Sequence, residues 1–213
     1  MKQKNRKLTA AEQARTEAFA RTCAALEAQG YRRRDLTIGT LQANLWAPVV
    51  MLPFLALAAW GYYALHPAGG FWALVEDLPL YFAALALFLV LIVVHELIHG
   101  LVWGLCAESG FSSIRFGVIW SALTPYCTCS APLRRGQYAL GAAMPTLVLG
   151  FGLAGAATAL GSFFLFAVAE LMILGGGGDA LILLRLLSFR PKGTDVVYLD
   201  HPTDCGLVAF ERA

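Results

Sequence analysis

The sequence predicts an all-α membrane protein: four transmembrane helices, a short cytoplasmic N-terminal helix, and a small β-hairpin between spans two and three. Three observations predict it. Of 213 residues, 58% are hydrophobic and only 14% are charged, against about 25% charged in an ordinary soluble domain. From Leu36 to Val75 there is no Asp, Glu, Lys or Arg, and about 20 apolar residues suffice to cross a bilayer. Finally, the basic residues fall on one set of flanks, as the positive-inside rule requires.

The elements follow in order. Residues 1–44 read as a cytoplasmic amphipathic helix and a basic juxtamembrane segment. Thr9 and Glu12 stand at capping-box spacing and Gly30 at a C-cap position, so a helix is expected over 9–29, solvated and anchoring the terminus. The basic residues before Asp35, ending in Arg32, Arg33 and Arg34, point to membrane orientation and not to nucleic acid. The basic start is too long for a secretory signal, and the first apolar run is long enough to span.

Residues 45–190 read as the four-helix membrane domain. The spans are expected at Leu45–Leu65, with Pro48 and Pro53 inside; at about Pro79–Cys106; at about Tyr138–Leu160, kinked by Pro145; and at about Ser162–Leu187, interrupted by Gly175–Gly178. With a cytoplasmic N-terminus, Arg115, Arg134, Arg135, Arg185, Arg190 and Lys192 are all cytoplasmic too. Both termini therefore lie inside. Residues 191–213 read as a cytoplasmic tail. Cys23, Cys106, Cys127, Cys129 and Cys205 fall on the same side or its membrane edge, so free thiols are expected in a reducing compartment.

Between spans two and three, Ile114, Phe116, Val118 and Trp120 alternate with other residues, which predicts a strand. Thr124-Pro125 would turn it, and Tyr126 to Cys129 would return. Such a hairpin covers the site beneath it or offers a strand edge to an extended peptide. Two thiols at the Cys127-x-Cys129 spacing are too few for a second metal site.

The chemistry is carried by Val94-His95-Glu96-Leu97-Ile98-His99-Gly100, within the second span. Residues four apart share one helix face, so two imidazoles can meet one cation. Glu96 adjoins the first imidazole, placed to act on water as a general base. Zinc there lowers the pKa of water to about 7 and polarises a carbonyl. Three ionisable groups within five residues of a span are expensive and mark function.

A third protein ligand must come from elsewhere. Glu170 and Asp179, both in the fourth span, are the candidates. At 1.5 Å per residue, His99 and His95 lie about 10 and 16 Å from the cytoplasmic end of their span. Asp179 lies about 12 Å from the corresponding end and Glu170 about 25 Å, so depth favours Asp179. The glycines ahead of Asp179 are poor helix formers. They either loosen the helix near the site or allow close helix packing.

At these residues the chain resembles a known family. His95-Glu96-Leu97-Ile98-His99-Gly100, Pro125-Tyr126-Cys127-x-Cys129 with Pro132-Leu133, Gly141 to Pro145, Gly177-Gly178-Asp179 and Asp200-His201-Pro202 are similar to a family of small bacterial membrane proteins called putative zincin peptidases. More distantly, the chain resembles the site-two intramembrane metalloproteases. The resemblance covers roughly residues 80–205. It implies one zinc ion held by His95, His99 and Asp179, with Glu96 as the base. The site-two pattern of Asn, Pro and Leu-Asp-Gly is absent; here the aspartate follows four glycines.

The expectation is a zinc metallopeptidase in the bacterial inner membrane, cleaving membrane-protein or peptide substrates near the cytoplasmic side. Its rivals are a non-catalytic metal-binding scaffold and a metal transporter or sensor. Substrate identity and oligomeric state are not legible.

Overall fold

A computed structural model describes residues 9–119 and 124–213. Its elements are α1 (Ala10–Ala28), β1 (Arg32–Asp35), α2 (Thr40–Leu65), α3 (Phe71–Glu76), α4 (Leu78–Cys106), β2 (Ile114–Ile119), β3 (Thr124–Cys129), α5 (Arg135–Pro145), α6 (Leu153–Leu160), α7 (Phe163–Gly175), α8 (Gly177–Ser188), β4 (Asp195–Asp200) and β5 (Leu207–Arg212). A π-helical turn, Thr146–Gly152, joins α5 to α6.

Three helices are long and apolar enough to cross a bilayer: Leu41–Leu65, Leu78–Cys106 and Arg135–Leu160. The pair α7 and α8 qualifies together as a fourth, bent by 43° at its break. Within the most apolar window of α4 only 11% of residues are buried, and Leu89, Val93, Leu97 and Leu101 face outward. That outward apolar surface suits lipid, not water. α2 runs unbroken through Pro48 and Pro53, whereas the wide π turn begins directly after Pro145. Proline removes a backbone donor and clashes with the preceding turn, and a widened turn absorbs both.

The glycine run falls at the break between α7 and α8, and packing explains two of its members. A Cβ on Gly176 would stand 2.0 Å from Thr146 Oγ1, and one on Gly177 2.7 Å from the Ala47 carbonyl oxygen. Gly175 and Gly178 face open space. Close helix packing therefore accounts for the centre of the run, and the bend re-aims the helix just ahead of Asp179.

The all-α expectation needs a correction. The tail is not merely polar: β4 and β5 form an antiparallel hairpin, and β1 joins it in the order β1-β5-β4. Arg32 to Arg34 thus form a strand. One face of this sheet, with Tyr198, Leu207 and Ala209, packs on Trp103, Tyr138 and Leu186 at the helix ends. The other, with Val197, Leu199, Val208 and Phe210, is covered by Cys23 and Leu26 of α1. The first helix is therefore a packed layer and not a solvated anchor. Thr9 and Glu12 form the capping box. Gly30, at φ +85°, closes the other end, with Gly30 N–H donating to Glu27 O (2.9 Å) and Tyr31 N–H to Leu26 O (3.1 Å). These are the paired bonds of a glycine-terminated helix.

The predicted hairpin is present, pairing Ile114 with Cys129 through Ile119 with Thr124. Thr124-Pro125 belongs to the return strand and not to the turn; Trp120 lies outside the described residues. All five cysteines are free.

Asp195 ties the sheet to the membrane helices. Its carboxylate accepts from Tyr31 O–H, Arg134 and Arg212 (Arg212 at 2.8 Å). The Tyr31 hydroxyl, then the Arg134 guanidinium, hold its pKa down to about 2. A depressed carboxyl stabilises the fold above its unfolded pKa of about 3.9, and that contribution disappears as pH falls through the folded value. The thermal midpoint of Asp195→Asn should therefore lie below wild type at pH 5 and converge with it as pH approaches 2. A gap that stays constant with pH would contradict this role.

Candidate metal centre

Helix α4 places His95 and His99 on one face, one turn apart, both buried. Helix α8 begins at Gly177, so Asp179 sits in its first turn, where the helix dipole favours a carboxylate. The three side chains meet. His95 Nε2 is 3.2 Å from His99 Nε2. Asp179 Oδ2 lies 3.1 Å from His95 Nε2 and 3.4 Å from His99 Nε2. Among the described residues they form a group able to hold a metal.

The donor set can be tested for fit. Bonds of 2.0–2.1 Å to a tetrahedral zinc set neighbouring ligand atoms roughly 3.3 Å apart. All three separations lie close to that value. The tautomer also fits. Gly141 carbonyl oxygen lies 2.8 Å from His99 Nδ1; it accepts that N–H and leaves Nε2 as the free lone pair. Two imidazoles and one carboxylate are a zinc donor set that keeps an open position.

Glu96 follows His95 and is half-buried. The Cys127 backbone N–H lies near its carboxylate. Register explains why that amide is available. Cys127 opposes Phe116 and Cys129 opposes Ile114, and Cys129 N–H donates to Asp200 Oδ2 at 2.8 Å. Both amides therefore point off the outer edge of β3. Asp200 also accepts from Tyr138 O–H. Burial raises its carboxyl pKa, and these two donors oppose that rise. The buried Cys127 and Cys129 thiols are pushed up by the same desolvation, which opposes thiolate metal binding.

Glu170 does not join the group. Its Oε1 is buried, with no hydrogen-bond partner among the described residues. His201 also stays apart: its Nδ1 accepts from Asp204 N–H at 2.9 Å. An apolar cleft of about 140 Å³ between α2, the π turn and α8 reaches Asp179, lined by Met51, Phe54, Thr146 and Phe151.

Sequence reasoning did not single out Trp103, Tyr138, or Gly141 as an orienting group. His99 stacks on Trp103, with centroids 4.9 Å apart and planes 16° apart. Trp103 Nε1–H donates to Tyr138 O at 3.3 Å. Spacing offered one hint, since Trp103 continues the i, i+4 row of His95 and His99. A Cβ on Gly141 would stand 2.0 Å from Trp103 Nε1. Gly141→Ala should therefore displace the indole and the His99 acceptor together. Overpacking costs about 1–3 kcal/mol, and loss of a supporting bond weakens metal affinity about 10–100-fold. Zinc competition titration and a thermal scan would check both; unchanged zinc affinity would show that Gly141 does not orient His99.

No curated protein and no solved structure matches the chain. A family model does: residues 88–194 match the one described as putative zincin peptidase. That stretch includes the His95–His99 motif, the hairpin and Asp179, and by it the chain belongs to the putative zincin peptidase family.

Proposed function

We propose that this protein is a zinc-dependent peptidase set within the membrane, hydrolysing peptide bonds of membrane-protein substrates near the cytoplasmic side. The observation that carries the reading is the convergence of His95, His99 and Asp179 at near-tetrahedral spacing beside Glu96. Zinc, when bound, supplies a Lewis acid and water that is acidic near neutral pH.

The chain's own groups do the rest. His95, His99 and Asp179 would hold the ion, and Gly141 fixes the His99 ring. Glu96 takes the proton from the attacking water and delivers it to the departing amine, so that the peptide C–N bond breaks and one carboxyl and one amine form. A membrane helix hides its peptide bonds in internal hydrogen bonds, so a substrate must unwind before it is cut. The apolar cleft that reaches Asp179 supports access from the lipid side.

Topology belongs to the same proposal. Four spans, counting α7 and α8 as one, put α1, the hairpin and the sheet together at one end, as their mutual contacts require. The arginine-rich flanks support a cytoplasmic location for that end, with both termini on the inner side of a bacterial inner membrane.

The test compares metal content and cleavage in wild type and His99→Ala, purified in lipid. Wild type should carry one zinc per chain and cut an unwound membrane segment. Chelation should stop cleavage and added zinc restore it, while His99→Ala should lose both metal and cleavage. Cleavage that survives complete metal removal rejects the proposal.

A further inference from the structure

The hairpin is a partition with two different faces. Alternation along paired strands sends Ile114, Phe116, Cys127 and Cys129 to one side. That side lies on the motif helix: a Cβ on Gly100 would meet Phe116 Cζ at 2.4 Å and Ile114 Cγ2 at 3.1 Å. The other side carries Arg115, Tyr126 and Thr128. Tyr126 folds over Gly117, where a Cβ would collide with its hydroxyl at 2.3 Å.

This second face is roofed by α1, and a cavity of about 310 Å³ lies between them, closed at one end by Leu199–Pro202. Its volume is at the small end of pockets that take small molecules. Phe19, Tyr126, Leu199 and Pro202 give it apolar walls, and Arg15, Arg21 and Arg115 give it charge.

Among the described residues this charge is only weakly compensated. Arg15 lies over the Tyr126 ring at 4.1 Å, and its buried Nε has no hydrogen-bond partner among the described residues. Arg115 donates to the neutral Ser112 and Ile114 carbonyl oxygens, both at 2.8 Å. Arg21 reaches Glu17 at 4.0 Å with both side chains 73% exposed, a contact worth little. The one carboxylate among the described residues of the wall, Asp200, already receives Tyr138 O–H and Cys129 N–H. His201 uses Nδ1 as an acceptor for Asp204 N–H, which leaves Nε2 as a further donor. Guanidinium groups gathered beside an aromatic ring suit a phosphate, whose oxygens accept paired N–H bonds.

We propose that this cavity binds a phosphate carried on an apolar or aromatic body, either a soluble organic phosphate or a lipid headgroup. A ligand there joins α1 to the outer face of the hairpin. It therefore braces the hairpin whose other face packs on the motif helix at Gly100, and couples occupancy to the catalytic end of the molecule.

The experiment titrates phenyl phosphate calorimetrically into the full chain in phosphatidylcholine nanodiscs. It reads binding and not proteolysis, so its failure leaves the peptidase reading untouched. Wild type should bind saturably, at one site. Arg15→Gln should weaken binding about ten-fold or more, the worth of a charge-assisted hydrogen bond, while zinc content stays unchanged. Arg15→Lys, which keeps the charge, should lose less. Inorganic phosphate should bind about ten-fold more weakly than phenyl phosphate, because it leaves the apolar walls unfilled. If Arg15→Gln loses zinc and hence its fold, the exposed Arg21→Gln decides by its own loss of affinity. Phosphatidic acid in the nanodisc that competes with phenyl phosphate identifies a lipid headgroup as the occupant; absence of competition identifies a soluble one. No saturable binding to wild type, or equal affinity in a zinc-loaded Arg15→Gln, overturns the proposal.

Discussion

Glu96→Gln is expected to retain its zinc and to lower kcat for peptide hydrolysis by about 10²–10⁴-fold, the usual contribution of a positioned general base. Glutamine keeps the shape of glutamate, and its amide oxygen remains an acceptor beside the Cys127 N–H. Helix α4 and the hairpin above it should therefore stay as they are. The amide cannot take a proton from water, so chemistry slows while the three metal-holding side chains remain in place. Zinc stoichiometry and single-turnover cleavage of an unwound peptide, measured on one preparation, separate these effects. Cleavage at the wild-type rate would remove Glu96 from the reaction. Lost cleavage accompanied by lost zinc would instead assign it a structural part.

Asp179→Asn is expected to weaken zinc binding more than the 100-fold upper range seen for supporting residues. One carboxylate oxygen stands within 3.4 Å of both imidazole Nε2 atoms, and asparagine leaves the site without its only anionic donor among the three. Glu170→Gln is the natural partner experiment. Glu170 lies nine residues earlier, roughly 13.5 Å along a regular helix, on the far side of the 43° bend. It should leave zinc affinity unchanged. Competition with a chromogenic chelator reads both variants. Zinc retained by Asp179→Asn but lost by Glu170→Gln would reverse the choice of third ligand.

Much of the membrane part was legible because its signals are local. An apolar run near 20 residues has few alternatives, and His95, Glu96 and His99 meet through helical periodicity alone. Depth within the span singled out Asp179 over Glu170 because two membrane helices share one ruler. The glycines blurred that ruler, yet their bend did not carry Asp179 away from the histidines. Legibility failed in the tail. Strands buried on both faces show a continuous apolar run, without the alternation that marks a half-buried strand. Leu207 to Phe210 is such a run, buried throughout. Its partner β1 is Arg-Arg-Arg-Asp, partly exposed at every position, and four charged residues carry no strand signal.

From the sequence alone came a membrane protein, the pair of imidazoles with an adjacent carboxylate, and the candidate third ligand, since each rests on composition or on spacing along one helix. Only the tertiary structure decided which backbone groups stand at that site: Gly141 O on His99, Cys127 N–H beside Glu96, and the sheet behind the hairpin. Peptide groups are the same at every position. Which of them meets a given side chain depends on strand register and helix approach, which no local pattern encodes.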